Sequence, residues 1–63
     1  MQAEDPIRVA RSLIDRHGVR AAAVAEQQAN EAQLAARIEA LDFWRSVQTA
    51  IAELRRTAPR HAA

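Results

Sequence analysis

The sequence predicts an all-α protein: a short N-terminal helix followed by a helical hairpin, the whole completing a helical bundle as a homodimer. Three observations carry this. Alanine, the best helix former, dominates the composition. The two prolines, Pro6 and Pro59, lie near the ends, and the one glycine is Gly18. Apolar residues recur at spacings of three and four, and no stretch alternates as a half-buried strand would.

The 63 residues make a single domain, residues 1–63, with helices expected over 6–17, 20–36 and 38–57 and a frayed tail over 58–63. Asp5-Pro6 opens the first helix. The Asp5 carboxylate accepts from the free amides of the first turn, and Pro6 suits the first helical position because its missing N–H would be unpaired there anyway. Ile7, Ala10, Leu13, Ile14 and His17 then form an apolar stripe, with Arg8, Arg11, Asp15 and Arg16 largely off it.

Gly18 is expected to mark a break or sharp kink, the competing reading being a glycine tolerated inside a longer helix at a cost of about 1 kcal/mol. In a Schellman ending it adopts the left-handed conformation, and Val19 beyond it touches Ile14. The following stretch, Arg20 to Thr57, lacks glycine and proline. Within it Ala22, Ala25, Ala29, Ala32 and Ala36 form a 3-4-3-4 seam on which another helix can approach closely. Leu34, Ile38, Leu41, Phe43, Trp44, Val47, Ile51 and Leu54 then supply eight of the fourteen Ile, Leu, Val, Phe and Trp residues. These are the expected core and interface. One helix from 20 to 57 would be about 57 Å long at 1.5 Å per residue, which only an extended coiled coil accommodates. A turn near 35–42, with Asp42 as a candidate N-cap, instead lays the alanines against the large side chains. Arg55 and Arg56 favour the C-terminal end of the last helix through the macrodipole, and Pro59 closes it.

The segments LIDRHG (Leu13 to Gly18) and DFWRSVQTAIAEL (Asp42 to Leu54) resemble a family of short, uncharacterised proteobacterial helical proteins. In these a helix ends in His-Gly, an alanine-rich helix follows, and a last helix carries a tryptophan. The resemblance covers about Ala10 to Arg56 and rests on helix-and-core patterns. It implies an all-helical fold with a hairpin, and no activity. Many members have a Gly-Asp turn between the last two helices where this chain has Ala36-Arg37.

Size bounds the function. Chains below about 70–80 residues rarely draw more than ~3–5 kcal/mol from one core without disulfides, a structural metal or association. There is no cysteine, so disulfides and thiolate zinc sites are excluded. His17 and His61 are too far apart in sequence to suggest a metal site. Association is the remaining source of stability. Phe43 and Trp44, adjacent and about 100° apart on a helix, cannot both face one core. One is expected in the hairpin core and the other on a second surface, where an aromatic is a typical interface anchor.

Chemistry is sparse. His17 has neither a nucleophile nor an orienting partner, so its place at a helix C-terminus is the ordinary explanation. Glu26 and Glu31 do not share a face. Glu39 and Asp42 lie three apart, but no Glu-x-x-His accompanies them. Glu4 with Arg8 and Asp42 with Arg45 suit surface ion pairs. No enzyme, cofactor, catalytic residue or metal site is predicted.

Net charge is +1, and acids dilute both arginine clusters (Arg8, Arg11, Arg16 and Arg20; Arg55, Arg56 and Arg60). A nucleic-acid partner is therefore disfavoured. No apolar run approaches the roughly 20 residues of a membrane span. The acidic start argues against a presequence, which makes a cytoplasmic location the expectation. The favoured function is a non-enzymatic interaction module that self-associates or docks on a larger partner. The alternative is a small dimeric regulator contacting nucleic acid through arginines.

Overall fold

The computed structural model describes residues 5–57. Three α-helices follow one another: α1 over Pro6–His17, α2 over Ala21–Leu34 and α3 over Ile38–Thr57, with a 3-10 turn over Gly18–Arg20 between the first two. No strand occurs among the described residues. Helices α2 and α3 pack extensively on each other as a hairpin, and α1 lies mainly against α3. A single helix over 20–57 is thereby replaced by two. The expected closing role of Pro59, the tail 58–63 and the Glu4–Arg8 pair lie outside the described residues.

Helix α1 starts as its sequence dictates. The Ile7 N–H donates to Asp5 Oδ1 at 3.0 Å, and Pro6 occupies the first turn. The buried face is rotated from the expected stripe: Ala10 is buried, Val9, Leu13 and Ile14 are half-buried, and Ile7 and His17 are exposed. A stripe read in isolation cannot show which of its edges the neighbouring helix will cover.

The α1–α2 corner corrects the Schellman expectation. Gly18 has φ 60° and ψ −127°, the mirror image of extended backbone and not the left-handed helical region. From there the chain enters the 3-10 turn, which carries Val19 outward to 87% exposure. The Gly18 carbonyl accepts from Arg55 Nη2 at 2.8 Å, tying the corner to the last turn of α3. Arg20, at the N-cap of α2, makes no side-chain cap bond.

The Schellman geometry occurs at the other corner. The Arg37 N–H donates to the Ala32 carbonyl at 2.9 Å and the Ala36 N–H to the Gln33 carbonyl at 3.1 Å. This is the paired 6→1 and 5→2 pattern of that motif. Its left-handed position is Ala36, with φ 58°. Helix α2 thus ends at Leu34, two residues short of the expected end, and Ala36 is a turn residue instead of part of the seam. Asp42 is not an N-cap: α3 begins at Ile38, and the Leu41 N–H donates to the Arg37 carbonyl at 2.9 Å.

An alanine in the left-handed region costs about 1–2 kcal/mol because its Cβ crowds the following carbonyl. Ala36→Gly is therefore expected to stabilise the fold by about 1 kcal/mol, less the entropy glycine adds to the unfolded chain. Urea denaturation at fixed protein concentration measures it. An unchanged or lowered midpoint would contradict the left-handed turn.

Candidate interaction surface

The core is built from small side chains. The buried residues among those described are Ala10, Ala21, Ala25, Ala29, Ala32, Val47, Ala50 and Ile51, and the large fully buried ones are Val47 and Ile51. Val9, Leu13, Ile14, Phe43, Trp44 and Leu54 pack against this cluster while only partly buried. Alanine contributes little apolar area, whereas fully burying a Val, Leu or Ile side chain is worth about 1.5–3 kcal/mol. The large residues at the rim therefore realise only part of what they hold.

The expected seam is partly redistributed. Ala25, Ala29 and Ala32 are buried, but Ala22 is exposed and Ala21 takes its place. The inward stripe of α2 is Ala21-Ala25-Ala29-Ala32, a 4-4-3 spacing equally present in the sequence. With Ala21, Ala22 and Ala23 in succession, residue type does not identify the inward position. Ala10 and Ala50 also enter the core unforeseen, since only packing distinguishes a core alanine from filler.

The eight expected core and interface residues separate into three groups. Val47 and Ile51 are buried; Leu41, Phe43, Trp44 and Leu54 are half-buried; Leu34 and Ile38 are 88% and 71% exposed. Leu34 follows the buried Ala25 by nine positions, and Ile38 precedes the buried Val47 by nine. At 3.6 residues per turn each lies about 180° round its helix from the core. Both were expected inside because spacings of three and four read as one stripe, but Leu34 lies on α2, before the turn, and the 3-3-3 run from Ile38 to Val47 drifts half-way round α3.

Phe43 and Trp44 are also corrected in part. Both pack against the same buried cluster, with ring centroids 5.3 Å apart and planes at 82°, an edge-to-face geometry favoured by the ring quadrupoles. Adjacent side chains can both find cover because α3 is flanked by two helices instead of one.

Among the grooves that border α3, two differ in what α1 contributes. One lies against α1, with Pro6, Ile7, Ala50 and Leu54 among its lining residues. The other lies between α2, the turn and α3, lined by Gln28, Glu31, Ala32, Ala35, Arg37, Ala40 and Trp44. No α1 residue is among the second set. Glu31, Ala35 and Arg37 are exposed there, and Trp44 is half-buried.

The polar residues do not converge on a reaction site. No polar or charged side chain is buried among the described residues, and no group of three or more His, Cys, Asp or Glu is placed to hold a metal. Asp42 and Arg45 line a shared surface groove, but the salt bridge found among the described residues is Glu53–Arg56, at 2.7 Å on the surface. Arg56 thus pairs with a carboxylate and Arg55 with the Gly18 carbonyl. Arg8, Arg11, Arg16 and Arg20 are all exposed. No helix among the described residues is long and apolar enough to cross a membrane. Compared with protein families, curated proteins and solved structures, the chain matches none.

Proposed function

We propose that this chain is a non-enzymatic interaction module that self-associates into a helical bundle. One observation carries the reading. Six of the eight buried residues among those described are alanines, while Leu34 and Ile38 are exposed and Trp44, Leu41 and Leu54 only partly covered. A single core in so short a chain rarely supplies more than about 3–5 kcal/mol. Covering the rim residues with a second chain adds apolar burial at about 25 cal/mol per Å² without lengthening the sequence.

Sedimentation equilibrium tests the proposal. A species of twice the 7.0 kDa chain mass, dissociating on dilution with loss of helicity, is expected. A folded monomer at all concentrations would refute it. Trp44→Ala should weaken assembly by well over tenfold, since truncating a hot-spot aromatic costs at least ~2 kcal/mol.

A second reading, nucleic-acid contact, is favoured by one feature. From Pro6 to Arg20 the exposed charged residues are four arginines against one acid, Asp15. Phosphate contacts of this kind give binding that weakens steeply with salt. Retention on duplex DNA or RNA at low salt, lost near physiological ionic strength, is its expected signature.

A further inference from the structure

We infer that the Trp44 groove is the face on which the second copy sits, about a two-fold axis, with Glu31 of each copy opposite Arg37 of the other. This rests on the self-association proposed above and places it at Trp44; Leu34 and Ile38 do not line this groove.

Several grooves border α3, and the one walled by Pro6 and Ile7 of α1 carries two acids, Asp5 and Glu53. The Trp44 groove receives no residue from α1 and has a half-buried indole in its lining. Aromatic side chains that become desolvated in a pocket are the typical energetic centre of an interface. The floor, Ala32, Ala35 and Ala40, has no side chain long enough to hold an approaching helix away.

Charge selects the occupant. Glu31 and Arg37 line this groove, both exposed, and they are not paired with each other. A two-fold interface brings the same patch against itself, so residue i meets j and j meets i. A groove of one sign would repel its own copy. A groove carrying one acid and one base attracts its copy whenever the axis brings the two into register. The mixed charge equally disfavours a polyanion, which requires a basic excess.

The experiment is a charge-exchange pair in the full-length chain, read by sedimentation equilibrium. Glu31→Arg leaves two arginines in the groove, and Arg37→Glu leaves two glutamates. Each variant alone is expected to lose dimer affinity by at least about tenfold through like-charge contact. An equimolar mixture of the two should recover it, because arginines of one chain then face glutamates of the other at both contacts. Both positions are on the surface, so circular dichroism should show folded chains throughout.

Single variants that dimerise like the wild type would overturn this face and leave self-association standing. Loss of dimer in the variants without recovery in the mixture would overturn the reciprocal two-fold contact. A wild-type chain that is monomeric at every concentration would remove the underlying proposal as well.

Discussion

Ile51→Ala is expected to lower stability by about 2–5 kcal/mol, comparable to the whole stability of a core this size. Ile51 is 1% exposed and, with Val47, one of the two largest fully buried side chains. Its neighbours in the cluster include Ala10, Ala21, Ala25 and Ala50. Their methyl groups are fixed to helix backbones and have no rotamers with which to fill a vacated volume. The residual cavity therefore adds its own penalty to the lost transfer free energy.

Ile51→Val is the calibrating variant, at about 0.5–1.5 kcal/mol. Urea denaturation at fixed protein concentration separates the two, since an associating chain changes apparent stability with concentration. An Ile51→Ala loss no larger than that of valine would show that the helices collapse freely onto the gap.

Gly18→Ala is expected to cost about 1–3 kcal/mol, the range for a side chain held in a sparsely populated backbone region. A Cβ at this position meets nothing within 4 Å, so the penalty belongs to the backbone and cannot be relieved by repacking neighbours. Relaxing φ from 60° would also turn the carbonyl away from Arg55, whose Nη2 donates to it at 2.8 Å.

Asparagine discriminates between the two glycine-type conformations. It tolerates the left-handed helical region, where its side chain bonds locally, but ψ −127° lies outside that region. Gly18→Asn should therefore be about as damaging as Gly18→Ala. Near-complete rescue by asparagine in thermal melts would place Gly18 in the ordinary left-handed cap and contradict the corner described here.

The two corners show how far local signals extend. Gly18 is visible in the sequence as a break, because a lone glycine between helical patterns has few other uses. Which positive-φ conformation it takes is not visible, because the direction of the exiting chain depends on where α2 docks. At Ala36 the left-handed residue gives no composition signal. The hairpin closes there because packing α2 on α3 outweighs about 1–2 kcal/mol of local strain.

Residue chemistry alone was enough to specify an all-helical chain, the Asp5-Pro6 start of α1 and the break at Gly18. These follow from helix propensity, capping and the fixed φ of proline, all of which act within a few residues. Tertiary packing chose the inward phase of α2, the outward position of Leu34 and Ile38, and the burial of Ala21 in place of Ala22. An alanine-rich helix presents nearly equivalent faces, so its rotation is set by the surface it meets. For the same reason the Trp44 groove could not be read from spacing: it exists because α1 packs along one flank of α3 and contributes nothing to the other.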